Sequence, residues 1–296
     1  ADFMSDAEMV VHCKPRQIGD STVCLAHEFA YLYWADDPIS TILATNYEST
    51  NDELWGKLRG YHEMLPRQLQ RAMVRHNSRV MQFARTMSGA EPGARIKCLS
   101  SKSPAGARSG TFQRLIADET AYWYDPATLW GDLTSPLHDG PHHKIIMIST
   151  PNGPGGLYHE KGMEAQRRTL EGGTRVRFRF FRWSDHAAYA TAPPAGWEPD
   201  QAAYLLGERH GLTPAQLYWR HEKIHGIKGI GVDRFRKEYP ITVEEGFLVF
   251  EGGWFDIEYL NTQINLLTAP TSELRIYERP QRGVVYVGGV DPSLCS

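Results

Sequence analysis

The sequence predicts an α/β fold with a central, mostly parallel sheet. Three observations carry this. Short apolar runs alternate with helix-like stretches over the first two-thirds of the chain. The first run leads through a turn containing Lys14, Gly19 and Ser21 directly into a helix. Two later runs stop at small polar groups, Asp118-Glu119 and Ser149-Thr150.

In chain order, residues 9–13 (Met-Val-Val-His-Cys) form the first strand. A helix follows over about residues 21–34; it is apolar nearly all round (Val23, Leu25, Phe29, Leu32), which predicts burial. Residues 41–45 are the next strand and a helix lies near 51–61. Residues 78–100 read as a hairpin, with strands at 79–83 and 95–99 around a Gly/Pro turn at 89–93. Strands at 114–118 and 144–148 enclose a further helix. A Pro-rich break at 192–200 precedes a mostly helical segment, 200–262. A β-type run, 283–290, ends at Asp291. The expected organisation is a core over 1–195, a lid or linker over 196–280, and the start of a further domain over 281–296. The chain opens on Ala1 and stops at Ser296, so both ends read as cut from something longer.

Composition narrows the function. With 296 residues, 41% apolar and 23% charged, the chain can bury a sizeable core. A net charge of -3 excludes a generally basic nucleic-acid binder, so DNA contact must be local. Cys13, Cys24, Cys98 and Cys295 form no CxxC pair, which argues against a disulfide scaffold or a zinc site and fits a reducing compartment. No apolar run is long enough to span a membrane. Arg67, Arg71 and Arg75 recur at i, i+4 and i+8, which predicts one solvated helix face. His138, His142 and His143 beside Asp139 read as a loop rather than a metal site. The glycine-rich 226–231 stretch follows no strand and is no nucleotide fingerprint. Trp197, Trp219 and Trp254 read as lid core.

The turn after the first strand is Lys14-Pro15-Arg16-Gln17-Ile18-Gly19-Asp20-Ser21-Thr22. Strand, turn and helix start are what a phosphate cradle needs, because backbone N–H groups at the helix start face the anion. Gly19 and Ser21 stand where the GxxxxGK[ST] pattern has them, but Asp20 replaces its Lys. An acid facing a triphosphate is unfavourable. Lys14 takes the place of the first Gly, so an ammonium reaches the phosphates from the other end of the loop, with Arg16 assisting. An ordinary capped βα turn is the rival reading. The Leu115-Ile116-Ala117-Asp118-Glu119 run presents two acids at a strand end: the first suits Mg²⁺, the second an attacking water. Ile145–Gly153 is a third strand ending in Ser149 and Thr150, hydroxyls suited to sensing a γ-phosphate; a plain strand and turn is the alternative.

These three signals together resemble the large terminase subunit of tailed phages, the ATPase that pumps DNA into a procapsid. The resemblance rests on the KPRQIGDST loop, LIADE (115–119), ISTPNG (148–153), EYP (238–240) with EEGF (244–247), and VGGVDP (287–292). It implies a P-loop-type (ASCE) ATPase with a helical lid and the first strand of an RNase H-like nuclease. It implies nucleotide binding by Lys14, Arg16, Gln17, Gly19, Ser21 and Thr22, and Mg²⁺ held by Ser21 and Asp118. Glu119 matches the catalytic glutamate, and Ser149 and Thr150 the coupling motif. Arg108 sits where the family often has an arginine completing a neighbouring subunit's site. Asp291 matches the first nuclease metal ligand; its partners would lie past Ser296, so DNA cleavage is not expected of this chain. The implied cofactors are ATP and Mg²⁺. The implied partners are double-stranded DNA, a portal protein, a small terminase subunit and further copies in a ring, in the host cytoplasm and docked on the procapsid. Two rivals remain: a helicase-type motor, and a relative or fragment that does not turn over ATP. Glu244 and Glu245 read as a helix-start pair and Tyr239, Phe247, Val249 and Phe250 as packing.

Overall fold

The computed structural model describes residues 7–35, 37–45, 48–77, 79–87, 89–102 and 110–248, with the side chains of 48–52 and 248 excepted. The expectations for Arg108, for the 283–290 run with Asp291, for Val249, Phe250 and Trp254 and for the 249–262 part of the helical segment lie outside these residues.

Eight strands make one sheet: β1 (Met9–Cys13), β2 (Ser40–Thr45), β3 (Met73–His76), β4 (Val80–Ala84), β5 (Pro92–Ser100), β6 (Arg114–Asp118), β7 (Lys144–Ser149) and β8 (Val176–Phe180). Their order is β3-β4-β5-β2-β6-β7-β1-β8. The six strands from β5 to β8 run parallel, and β4 and β3 extend the sheet antiparallel. The fold is thus the mostly parallel α/β sheet that the sequence predicts, with β7 inserted between β1 and β6.

Side-chain alternation explains why β6 and β7 are apolar between their polar end residues. Ile116, Ile146 and Ile148 join a core under α1 (Asp20–Trp34) and α2 (Glu48–Glu63). Leu115, Ala117, Ile145 and Met147 face the opposite way, toward α3 (Pro126–Thr134) and α4 (Gly156–Leu170). A parallel strand covered on both faces must be apolar at every position, unlike a half-exposed strand.

The register sets the site. Cys13 lies opposite Ser149, and Ile148 opposite Asp118. The carboxyl ends of β1, β7 and β6 are therefore level, the place where open α/β sheets receive ligands. At the other end of β6, Arg114 donates to both oxygens of Glu28 on α1 at 2.8 and 2.9 Å. Thr41 on β2 also donates to Glu28, at 2.5 Å, and Arg114 lies 3.9 Å over the Tyr31 ring.

Three expectations are corrected. Helix α1 is not apolar-buried all round: Cys24, Leu25, Phe29 and Leu32 are buried, but Val23 and Trp34 are about half exposed. Arg67, Arg71 and Arg75 do not share a helix face. Pro66 disfavours helix at the preceding residue, and only a short turn, Arg67–Leu69, follows. Arg71 is buried and donates to Ala35 O, while Arg75 lies on β3. Finally, β8 was not anticipated, although Val-Arg-Phe-Arg-Phe alternates with strand period.

After the irregular 190–199 stretch come α5 (Gln201–His210), α6 (Pro214–His225), α7 (Val232–Glu238) and α8 (Val243–Leu248). The start of α6 follows from sequence: Thr213 and Gln216 form a reciprocal capping box, with Pro214 at the first helical position. These helices pack on an aromatic core of Trp183, Tyr189, Trp219, Phe235 and Tyr239. Trp219 stacks on Trp183 and Tyr189 with ring centres 5.2 and 4.6 Å apart, as expected of a core residue. Trp197 is half-buried and meets Tyr218 edge-on. The glycine-rich 226–231 stretch follows α6, not a strand. Among the histidines, His142 bonds to Asp37 and Tyr31, and His143 to Asp139.

Candidate active site

A cleft of about 470 Å³ opens at the carboxyl ends of β1 and β6. Lys14, Arg16, Gln17, Ser21, Asp118, Glu119 and Tyr122 line it, together with Glu53, Leu54 and Lys57 from α2. Six of these residues were named from sequence; Tyr122, Glu53, Leu54 and Lys57 were not, because nothing in their local pattern marks them.

The loop from β1 to α1 bends through two left-handed residues, Gln17 (φ 56°) and Gly19 (φ 80°). Glycine adopts this conformation freely, whereas a residue with a Cβ is strained there. Gly19 caps α1 without a side-chain hydrogen bond, so the first-turn N–H groups are not taken by a capping side chain. Lys14 N donates to Ser149 O at 3.1 Å, which extends the β1–β7 ladder into the loop.

The charged groups converge as the motifs require. Lys14 Nζ donates to Glu119 Oε1 at 3.0 Å, and Ser21 Oγ to Asp118 Oδ1 at 2.8 Å. Lys14 and Asp118 are buried, while the Glu119 side chain keeps 28% of its surface exposed. Burial by itself would lower the Lys14 pKa, but the charges of Glu119 and Asp118 outweigh it and hold the ammonium above its usual range. Asp118 is pushed up to about 6, by burial first and by the Glu119 charge second, against the opposing pull of Lys14 and Ser21. Glu119 itself is left-handed (φ 50°), the second non-glycine residue in that region among those described.

Asp20 corrects the sequence expectation. Its carboxylate does not face the cleft. It turns under the loop, buried, where His12 Nδ1 on β1 donates to its two oxygens at 3.0 and 3.1 Å. A carboxylate only accepts, which fixes Nδ1 as the protonated nitrogen. The Cys24 thiol lies 3.8 Å from Asp20 Oδ1 and 3.7 Å from His12 Nδ1. His12, Asp20 and Cys24 are the one group of metal-ligand types within reach of each other among the described residues. Hydrogen bonds between them account for the arrangement.

The site is also tied to its surroundings. Thr150 Oγ1 lies 3.5 Å from Glu119 Oε2 and 3.4 Å from Tyr122 OH. Ser149 Oγ accepts from Ala121 N at 3.2 Å. Tyr158 OH on α4 bridges the carbonyls of His12 and Ser149. Arg16 pairs with buried Glu238 at the end of α7, its backbone N donates to Glu238 O at 3.0 Å, and Tyr189 OH donates to Arg16 O. Arg16 therefore bridges the loop and α7 as well as lining the cleft. Thr22, also expected at the nucleotide, lends its backbone O to Tyr61. Glu245 N donates to Thr242 Oγ1 and the Glu245 carboxylate accepts from Ile241 N, consistent with a helix-start role. A Cβ on Gly246 would lie 2.6 Å from Pro151 Cγ, so α8 can rest on the end of the Ser149-Thr150-Pro151 segment only with glycine there.

The profile of the family described as terminase large subunit, T4likevirus-type, N-terminal, matches residues 12–168. No curated protein matches the sequence. Among solved structures, the chain is similar to the large terminase ATPase domain of Thermus phage P74-26, at 18% identity and TM-score 0.52. That match covers 80% of this chain and 88% of the other. It is also similar to the large terminase of bacteriophage HK97, at 12% identity and TM-score 0.51, covering 75% of this chain but 44% of the longer relative. At these identities the likeness establishes the fold. With more than half its residues matched by the family profile, the chain belongs to the large terminase subunit family.

Proposed function

We propose that this chain is the ATP-hydrolysing part of a phage DNA-packaging motor. The observation that carries the reading is the convergence of Lys14, Ser21, Asp118 and Glu119 on one cleft at level strand ends, with Asp20 turned away from it. The phosphates of ATP rest on the 14–22 loop, against the N–H groups of the α1 start and the Lys14 ammonium. Ser21 and Asp118 offer adjoining oxygens, the hard donors Mg²⁺ prefers; bound there, the ion neutralises charge on the phosphates. Asp118 must be ionised for this. Phosphate oxygens compete with Glu119 for Lys14, and the freed Glu119 carboxylate orients and deprotonates the attacking water. Removing the γ-phosphate alters the Glu119–Thr150 contact. Ser149-Thr150 and the Pro151–Gly246 contact then pass the change to α8, while Arg16–Glu238 passes it to α7.

Within this reading the core spans 1–195, the lid 196–280 and the nuclease start 281–296. Arg108 acts on a neighbouring subunit's nucleotide and Asp291 is a nuclease ligand, both by family resemblance alone. The partners follow the same resemblance: double-stranded DNA, a portal protein, a small terminase subunit and a homo-oligomeric ring, in the host cytoplasm on the procapsid. No described helix is long and apolar enough to cross a membrane.

Thermal unfolding with millimolar MgATP tests the proposal. A Kd near or below about 100 μM raises the melting temperature visibly, through roughly 1.5 kcal/mol of linkage. An unchanged melting temperature in folded protein favours a non-hydrolysing relative, the reading that the Lys14 hold on Glu119 keeps open.

A further inference from the structure

We propose that Asp20 is a positioning residue: its carboxylate pins the first turn of α1 to His12 on β1, and this fixed anchor is why the phosphate-binding ammonium resides at position 14. The inference rests on the nucleotide reading above, which it deepens.

Asp20 opens helix α1. It occupies the place at which the phosphate-loop pattern has lysine, one residue before the hydroxyl that meets Asp118. A side chain there has two directions: outward along the phosphates or inward under the loop. In this protein it goes inward. Its side chain is about 5% exposed and that of His12 about 1%, and both carboxylate oxygens accept from the imidazole. The floor of this pocket is closed by Cys24 one helical turn on, and Phe181 packs edge-on against the His12 ring, 5.4 Å between centres.

A bidentate, buried contact between a strand and the first turn of the following helix removes rotation of that turn as a soft motion. Two consequences bear on the cleft. Ser21, the next residue, is held with its hydroxyl on Asp118, and Gly19, the preceding one, is held left-handed. The same pocket disfavours a cation at position 20, because an inward ammonium would be buried against the His12 imidazole and the Cys24 thiol, neither of which supplies the carboxylate a desolvated cation needs. Lys14 fills the functional gap from the first position of the loop, on Glu119 and close to Asp118. Lysine at 14 and aspartate at 20 are, on this account, one coupled exchange.

The tests use the full chain. Asp20→Asn keeps an acceptor for His12 and is expected to bind MgATP within about threefold of wild type. Asp20→Ala is expected to weaken MgATP about tenfold, which corresponds to about 1.4 kcal/mol, and His12→Ala to do the same. The Asp20→Ala, His12→Ala double variant is expected to lose no more affinity than either single one, since both delete one contact. Relocating the charge is the sharpest arm: Lys14→Ala combined with Asp20→Lys should bind MgATP no better than Lys14→Ala alone. Recovery of affinity in that double variant overturns the inference, and so does independent, additive weakening by the two alanine substitutions. Urea unfolding of the same four proteins separates this from failure of the nucleotide reading. If wild type binds no MgATP, non-additive stabilities still support the His12–Asp20 anchor, and additive stabilities in folded variants refute it.

Discussion

The two ends of β6 carry the same chemistry in opposite states. At its start, Arg114 and Glu28 form a closed ion pair, with Thr41 and Tyr31 completing the shell. At its end, Asp118 and Glu119 face a cleft, paired with Ser21 and Lys14 in contacts that an incoming ligand can replace. The closed end is settled: both carboxylate oxygens of Glu28 are used, and the backbone nearby is ordinary. At the open end, burial and then the Glu119 charge push the Asp118 pKa up to about 6. Both left-handed non-glycine residues among those described, Gln17 and Glu119, lie here as well. One five-residue strand thus carries at its start a pair that stabilises the fold and at its end a cluster open to a ligand. Strain and shifted titration mark the second kind.

The largest expected effect lies at the open end. Glu119→Gln should lower ATP turnover by about 10²- to 10⁴-fold while leaving MgATP affinity within about threefold, measured by phosphate release and by equilibrium binding. Full turnover in that variant would show that the two ends do not differ as described. Next comes Glu28→Ala at the closed end. It strands Arg114 in the core and should cost about 3–5 kcal/mol in urea unfolding, with unchanged MgATP affinity in whatever fraction stays folded. A loss of affinity without a loss of stability would reverse the assignment of the pair.

Acidity gives a third, smaller contrast. The Asp118 pKa is raised from 3.8 to about 6, so the folded protein holds this proton more tightly than the unfolded chain. Its favourable contribution is complete below about pH 4 and is lost as the pH rises through about 6, on the order of 3 kcal/mol in all. Asp118→Asn should therefore flatten the fall in stability between pH 4 and 7 relative to wild type, followed by urea melts in the absence of nucleotide. Identical slopes would deny the burial of its charge. The smallest effect concerns strain: Gln17→Gly should raise stability by about 0.5–1 kcal/mol, because glycine takes φ 56° without a Cβ clash. A destabilised variant would place a needed contact on the Gln17 side chain instead.

The closed end was the less legible in the sequence. Nothing about Arg114 or Glu28 announces a partner 86 residues away. The open end is written in contiguous motifs, so the loop, the acidic strand and the Ser149-Thr150 strand were readable, and with them the sheet type. What the motifs could not supply was direction. Asp20 reads as an obstacle to phosphate until His12 is seen beneath it, and that pairing depends on the rotation of α1 over β1. The Arg67, Arg71 and Arg75 spacing imitates a helix face because three arginines carry no record of the Pro66 break between α2 and β3. Strand β8 was legible in principle from its alternation but is short and follows a long helix. The Arg16–Glu238 bridge joins residues 222 apart and needs the folded α7 to exist.

The central claim is that Lys14, not residue 20, is the cation of a phosphate site shared with Asp118 and Glu119. Calorimetric titration of MgATP into wild type and Lys14→Ala tests it most directly. The account predicts saturable one-site binding by wild type and affinity at least about tenfold weaker in the variant, with both proteins folded. Equal affinities would contradict it.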